Sequence, residues 1–207
     1  MTPSASSSVD PAGLLDELSY DFDGVFAPDE VADAIDQARQ ALEPGATVST
    51  FLPVLIKRYA RELLVASAQA DGLVAKPVPE LLFVCVHNAG RSQLAAALAA
   101  HLAPGKVHVR SAGSRPSGEL NPVVVEALAE RGIELTEAYP KPLAETVVHA
   151  ADVIITMGCG DECPYFPGKR YEDWDVADPD GASLESVRDI RDDIQARITV
   201  LLRDLDL

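Results

Sequence analysis

The chain has 207 residues, of which 47% are hydrophobic and 24% charged, and its formal net charge at pH 7 is −16. This length suits one domain of ordinary size plus an additional segment, and the apolar fraction is enough for a real core. A chain with this negative charge is repelled by other polyanions, so we expect it to bind neither nucleic acid nor an anionic membrane surface.

The first ten residues, MTPSASSSVD, are rich in serine, and we expect residues 1–10 to be a disordered tail. They contain neither the basic nor the apolar region of a secretory signal peptide. The rest of the chain has no apolar run of about 18 residues or more, so no transmembrane helix is expected. These features favour a cytoplasmic protein.

Residues 11–78 are predicted to form a small three-helix bundle followed by a linker. Apolar residues recur at helical spacing in each helix, and the Gly- and Pro-containing stretch after the third helix is typical of a linker. The predicted helices are about Pro11 to Phe22, Pro28 to Leu42 and Thr50 to Gln69, and the linker is Ala70 to Pro79. A core made from so few residues is only marginally stable. We therefore expect the bundle to pack against the second domain or against a second chain. We predict a homodimer that forms through these helices.

A non-enzymatic alternative makes this bundle a DNA-binding head, with Lys57, Arg58 and Arg61 on its third helix. Residues 1–78 contain 12 acidic and 5 basic residues, a net charge of −7. Because DNA repels such a segment, the sequence disfavours this alternative.

Strands and helices alternate through residues 79–207, which form the second predicted domain. This order predicts a doubly wound α/β fold, a four-stranded parallel sheet with helices on both faces. The predicted strands are Leu81–Val86, Val107–Ala112, Asp152–Met157 and Arg170–Trp174. The predicted helices are Ser92–Leu102, Pro122–Arg131, Leu143–His149 and Leu184–Asp204.

The most informative stretch is Leu81 to Leu98, LLFVCVHNAGRSQLAAAL. A loop that leaves a strand and enters a helix presents several backbone N–H groups to one point, and the helix dipole adds to their field. That field favours an anion and also favours the thiolate form of Cys85. Arg91 adds a planar guanidinium that can bind two oxygens of a tetrahedral oxyanion. The stretch therefore predicts a nucleophilic thiolate inside an oxyanion-binding loop.

Three further residues lie near the predicted carboxyl ends of strands, where ligands of such sheets bind. Asp178 precedes Pro179, and by itself this dipeptide is more typical of a solvated turn than of a catalytic acid. Cys159 and Cys163 follow the third strand. A zinc site would need further ligands at suitable spacing, and a structural disulfide is disfavoured in a reducing compartment. Ordinary buried cysteines and a redox pair both remain open.

The sequence from Cys85 to Ser92, CVHNAGRS, resembles the phosphate-binding loop of low-molecular-weight protein tyrosine phosphatases and of the arsenate reductases built on the same fold. The resemblance runs from about Glu80 to the C-terminus. It includes Ser111-Ala112-Gly113 after the second strand, Asn121-Pro122 at the start of a helix, and Asp178-Pro179.

This resemblance implies an arsenate reductase of the thioredoxin-coupled, three-cysteine type. Cys85 would attack arsenate and Asp178 would protonate the departing oxygen. Cys159 would then attack Cys85 to release arsenite, and Cys163 would move the disulfide to a Cys159–Cys163 pair that thioredoxin reduces. The oxyanion would be bound by Val86, His87, Asn88, Ala89, Gly90, Arg91 and Ser92. The alternatives are a phosphomonoester phosphatase, and reduction by a low-molecular-weight thiol instead of thioredoxin.

The chain departs from the family pattern at two places. Ala96 stands where related reductases carry a glutamate that binds potassium, so we expect no metal ion and no other cofactor; Lys141 is a candidate to supply positive charge there instead. Asp180-Gly181 follows Asp178-Pro179 where tyrosine phosphatases carry aromatic residues, which argues against an aryl substrate.

Overall fold

The computed structural model describes residues 11–45, 50–116, 118–158 and 164–207. The chain divides into two compact units, residues 1–74 and residues 75–207. The predicted cysteine pair, Cys159 and Cys163, lies outside the described residues.

The first unit contains three helices in its described part: α1 (Pro11–Asp21), α2 (Pro28–Leu42) and α3 (Leu52–Ala70), with one turn of 3₁₀ helix (Glu43–Gly45) after α2. Proline begins α2 because its ring already has a helical φ and its missing N–H is not needed there. The side chains buried inside the unit follow the helical spacing seen in the sequence: Leu14, Leu18, Phe22, Val31, Ala34, Ile35, Ala38, Ile56, Tyr59, Leu63 and Leu64.

The cations on α3 are paired with carboxylates of α1. Lys57 donates to Glu17, and Arg61 donates to Asp21 while its guanidinium lies 5.6 Å from the centre of the Phe22 ring. Charges neutralised in this way are poorly placed to bind phosphates, which adds to the case against DNA binding. No helix in the described ranges is long and apolar enough to span a bilayer.

The second unit is built on a four-stranded, all-parallel sheet with strand order β2-β1-β3-β4, which confirms the predicted fold class. The strands are β1 (Glu80–Cys85), β2 (His108–Gly113), β3 (Val153–Met157) and β4 (Arg170–Asp173). Every residue of β1 is buried, as expected for a central strand. Each strand lies within one residue of its predicted bounds.

Helices cover both faces of the sheet. They are α4 (Arg91–Leu102), α5 (Pro122–Ala129), α6 (Glu145–Ala150) and α7 (Leu184–Asp204). Alternate β1 residues Leu81 and Phe83 lie in one core cluster with residues of α4, α5 and α7. Because side chains alternate along a strand, Leu82 and Val84 point to the opposite face, and α6 contacts β1.

Helix α6 begins two residues later than predicted, because the residues before it pair with the end of β2. The Leu143 N–H donates to the carbonyl oxygen of Gly113, and Pro142 forms an isolated bridge with the same residue. This segment therefore extends the end of β2 before the helix can start.

A buried ion pair closes the amino end of the sheet, opposite the carboxyl ends of the strands. Glu80 is 1% exposed and accepts hydrogen bonds from Arg110 Nε at 3.0 Å and His108 Nδ1 at 2.6 Å. Burial alone would raise the pKa of Glu80, but the hydrogen bond from His108 and the charge of Arg110 lower it to about 2. The carboxylate is therefore held ionised between β1 and β2.

Replacing this carboxylate should cost stability in a pH-dependent way. A pKa lowered from 4.5 to about 2 stabilises the folded state above pH 4.5, and this contribution is lost as the pH falls from 4.5 towards 2. We expect Glu80→Gln to lower the free energy of unfolding by about 3 kcal/mol at pH 7.

Urea unfolding at pH 7 and at pH 3.5 measures this, and the difference between variant and wild type should shrink at the lower pH. Glu130→Gln is the control, because Glu130 also has a pKa of about 2, set by its hydrogen bond from Arg188, but lies at the surface. A Glu80 effect no larger than the Glu130 effect would contradict a stabilising role for the buried pair.

Candidate active site

Cys85 is the last residue of the central strand β1. It lies between Gly113 at the end of β2 and Met157 at the end of β3, and it is 2% exposed. The carboxyl ends of parallel strands form the usual ligand-binding edge of such a sheet. The predicted nucleophile is therefore at the middle of that edge.

The Cys85 sulfur receives two polar contacts. The Asn88 N–H donates to Sγ at 3.3 Å, and the Ser92 hydroxyl lies 3.0 Å from Sγ. The Asn88 side-chain amide donates to the same Ser92 oxygen at 2.8 Å. While its oxygen accepts from that amide, the Ser92 hydroxyl can donate its own hydrogen to a thiolate at Cys85. Both contacts stabilise a negatively charged sulfur.

Asn88 is held in a conformation that few residues adopt. Its φ is +50°, in the left-handed region that asparagine tolerates better than most residues, and it is completely buried. Gln93 Nε2 donates to the Asn88 backbone oxygen at 3.0 Å, and the Lys141 N–H donates to Oδ1 at 3.0 Å. These contacts fix the turn that aims the Asn88 N–H at Cys85.

Gly113 allows the loop to approach the end of β2. A Cβ atom at this position would lie 2.7 Å from the Val86 carbonyl oxygen and 2.9 Å from the Asn88 nitrogen. Real Cβ contacts are not this short, so the resemblance motif Ser111-Ala112-Gly113 has a steric basis.

Arg91 and Asp178 form an ion pair at the mouth of the site. Arg91 Nη2 donates to Asp178 Oδ2 at 2.7 Å, and the Asp180 N–H donates to Asp178 Oδ1 at 3.1 Å. The Arg91 side chain is 10% exposed, whereas that of Asp178 is 48% exposed. The guanidinium is thus held within the site while the carboxylate faces the opening.

A pocket of about 290 Å³ joins the two predicted residues to the nucleophile. Its lining includes the start of α4, whose first-turn N–H groups have no partner within the helix and are available to an anion. The pocket is lined by Cys85, His87, Ala89, Gly90, Arg91, Glu119, Asn121, Pro122, Asp178, Pro179 and Asp180. None of these described lining residues is Phe, Tyr or Trp.

The backbone of Gly158 forms a wall against Arg91. Gly158 has φ +76°, and a Cβ atom there would lie 2.7 Å from Arg91 Nη1. Gly158 therefore limits where the guanidinium can lie. No motif or spacing in the sequence predicts this contact.

Lys141 and Ala96, the two positions considered in connection with a bound ion, lie in different surroundings. Lys141 reaches the loop through its backbone N–H, while its ammonium lies 5.2 Å from the centre of the Tyr139 ring. Ala96 packs partly buried against the core of the second unit. In the part of the chain that the structure describes, no three His, Cys, Asp or Glu side chains are grouped to share a metal ion.

A buried cysteine, an arginine from the following helix and an aspartate from a later loop around one small pocket define a cysteine-based phosphatase site on a doubly wound sheet. The chain belongs to the low molecular weight phosphotyrosine protein phosphatase family, whose model matches residues 80–207. Residues 13–68 match a protein-tyrosine-phosphatase-like N-terminal domain.

Three relatives show which members of the family are similar. The structure of a thioredoxin-dependent arsenate reductase from Corynebacterium glutamicum is 42% identical, covers 95% of this chain and 96% of its own, and has a TM-score of 0.87. A glutaredoxin arsenate reductase from Synechocystis is 33% identical over 59% of this chain and 95% of its own length. An arginine phosphatase structure from Geobacillus stearothermophilus is 27% identical, covers 62% of this chain and 93% of its own, and has a TM-score of 0.54.

We expect Gly158→Ala to weaken oxyanion binding, because the added methyl group displaces the Arg91 guanidinium. Inorganic phosphate is the probe, and its dissociation constant follows from the protection of Cys85 against iodoacetamide, read by peptide mass spectrometry. The expected loss is about tenfold, which corresponds to about 1.4 kcal/mol.

Gly132→Ala is the matched control. Gly132 has a similar φ of +73°, but a Cβ atom there meets nothing within 4 Å. Both variants carry the same backbone strain, so equal phosphate affinities in the two would show that Gly158 does not position Arg91.

Proposed function

We propose that the chain is an arsenate reductase that acts through Cys85 and is regenerated by thioredoxin. The observation that supports this most directly is the Cys85, Arg91 and Asp178 pocket in a chain that matches a thioredoxin-dependent arsenate reductase over 95% of its length. The predicted assignment of catalytic roles to these three residues belongs to this proposal.

Arsenate binding begins with exchange of partners at Arg91. In the structure the guanidinium binds Asp178, which keeps it aimed at the pocket. A tetrahedral oxyanion at the start of α4 offers two oxygens to the same guanidinium and receives hydrogen bonds from loop N–H groups between Val86 and Ser92. As the oxyanion takes over Arg91, the carboxyl group of Asp178 is released to the departing oxygen.

The chemical step is attack of the Cys85 thiolate on arsenic. The sulfur–arsenic bond forms and an arsenic–oxygen bond breaks, and Asp178 supplies the proton with which the oxygen leaves as water. Near neutral pH much of the arsenate carries two protons: one passes to Asp178 on binding and the other stays on the oxygen that departs, so the proton returned by Asp178 makes that oxygen water. The contacts of Asn88 and Ser92 with Sγ hold the sulfur in place for that attack.

Reduction then needs two electrons from thiols. Cys159 attacks the Cys85 sulfur, a disulfide forms between them, and the electron pair of the sulfur–arsenic bond leaves with arsenite. Cys163 attacks Cys159 and returns Cys85 as a thiolate. The resulting Cys159–Cys163 disulfide accepts two electrons from the dithiol of thioredoxin.

The relay is tested by arsenate turnover with thioredoxin, thioredoxin reductase and NADPH. We expect wild type to oxidise NADPH continuously, Cys159→Ser to show no turnover, and Cys163→Ser to stop after about one turnover with a Cys85–Cys159 disulfide. Hydrolysis of an aryl phosphate is the control, because a phosphatase cycle needs only Cys85. Both serine variants should keep whatever hydrolysis wild type has.

Two other results would redirect the proposal. If both serine variants cycle arsenate as fast as wild type with thioredoxin, the three-cysteine relay is wrong. If wild type turns over arsenate only with glutathione and glutaredoxin, or with another low-molecular-weight thiol, the reductant is wrong; the similarity to a glutaredoxin arsenate reductase makes this comparison necessary.

Asp178→Asn should slow arsenate reduction by roughly two to four orders of magnitude, because an amide cannot give the departing oxygen its proton. Single-turnover mixing isolates this step from thioredoxin. Asp180→Asn is the control, since it removes a neighbouring charge and keeps both the Asp178 carboxyl group and the Asp180 N–H that donates to it. Equal rates for Asp178→Asn and wild type would leave Asp178 only as the partner of Arg91.

The homodimer remains a proposal about the first unit. Several apolar side chains there are largely exposed: Tyr20 (85%), Phe51 (66%) and Val54 (56%). Burying them against a second copy would remove apolar surface from water. Light scattering should give a dimer at micromolar concentration and a monomer for Phe51→Glu, while the control Val200→Glu, an exposed residue of α7, should stay dimeric. A monomeric wild type would rule the dimer out.

A further inference from the structure

Asn121 joins three parts of the active site. Its backbone N–H donates to the Ala89 carbonyl oxygen in the Cys85 loop at 3.0 Å. Its side-chain Nδ2 donates to the Pro179 carbonyl oxygen at 3.2 Å. Its Oδ1 accepts the N–H groups of Val123 and Val124, at 2.9 and 3.2 Å, and so caps the first turn of α5. One residue therefore ties the nucleophile loop and the loop of Asp178 to the end of a helix.

The two loops that Asn121 connects are also in direct contact. A Cβ atom at Gly90 would lie 2.6 Å from the Pro179 ring, so the absence of a side chain lets Pro179 sit directly on the Cys85 loop. The Pro179 carbonyl oxygen accepts a second hydrogen bond, from the Ala182 N–H at 3.2 Å. The position of Pro179 thus depends on packing from Gly90 and on hydrogen bonds from Asn121 and Ala182.

We propose that Asn121 is a positioning residue for the acid: it holds the Asp178-Pro179 loop over Cys85 through Pro179. Its N–H, its Oδ1 and one Nδ2 hydrogen are engaged within the protein, and the Nδ2 bond to Pro179 is the contact through which it would act on the acid. The assignment of Asp178 as the acid rests on the proposed function. The mechanical link itself rests only on the contacts of Asn121.

The cap and the link to Pro179 can be separated by choice of substitution. Serine and aspartate cap helices about as well as asparagine, so Asn121→Ser and Asn121→Asp should both keep the start of α5. Neither offers the amide hydrogens that bind Pro179. Serine is neutral and aspartate is charged, so an effect shared by both variants does not come from added charge.

The test is a double-mutant cycle on single-turnover arsenate reduction. We expect Asn121→Ser to lower the rate by roughly ten- to hundredfold, since small misplacements of a catalytic group have effects of that size, while KM and the melting temperature stay near wild type. Combined with Asp178→Asn, the serine substitution should cost almost nothing more, because the group that it positions is already gone. A wild-type rate for Asn121→Ser, or an equal loss on the Asp178→Asn background, would overturn the proposal.

Amide hydrogen exchange gives a second readout that needs no activity. In Asn121→Ser, the Asp180 and Ala182 N–H groups, which bond to Asp178 and Pro179, should exchange several-fold faster than in wild type. Unchanged exchange at both would overturn the proposal even if wild type does not reduce arsenate. Absence of arsenate turnover by wild type with faster exchange in the variant would contradict the proposed function alone.

Discussion

The site depends on two hydrogen bonds to one sulfur. The Asn88 N–H and the Ser92 hydroxyl both contact Cys85 Sγ, and the loop that carries Asn88 depends on two uncommon backbone arrangements. Asn88 has φ +50°, and Gly113 must lack a side chain for the loop to pass. Strain of this kind costs stability and persists only where the surrounding structure fixes it. Here the surroundings are the fully buried β1, whose end sets the sulfur, and α4, which begins six residues later at Arg91.

The net charge of the chain is negative, whereas the field inside the pocket is positive. The formal net charge of the chain is −16. The residues that line the pocket include the acidic residues Glu119, Asp178 and Asp180. An anionic substrate is therefore repelled at long range and is bound only where Arg91 and the α4 N-terminus outweigh that field. This arrangement suits a small oxyanion that can enter fully. It is poorly suited to an acidic phosphopeptide, whose flanking charges would meet the rim.

The sequence was enough for the fold class because hydrophobic strands alternate with amphipathic helices, and such alternation has few solutions. Cys85, Arg91 and Asp178 could be placed near one another because the ends of parallel strands meet at one edge. Gln93, Asn121 and Gly158 could not be found in this way. Their roles come from contacts across 46, 58 and 67 positions of the chain, to Tyr139, Pro179 and Arg91, and no local pattern encodes which loops will touch. The start of α6 was misplaced for the same reason, since the Leu143 N–H is engaged by Gly113.

The central claim is that Cys85 forms the bond to arsenic through which arsenate becomes arsenite. Mixing the fully reduced protein with arsenate, without any external reductant, tests it most directly. We expect about one equivalent of arsenite per chain with the loss of two thiols, and none from Cys85→Ser. No arsenite from wild type, or the same amount from Cys85→Ser, would contradict it.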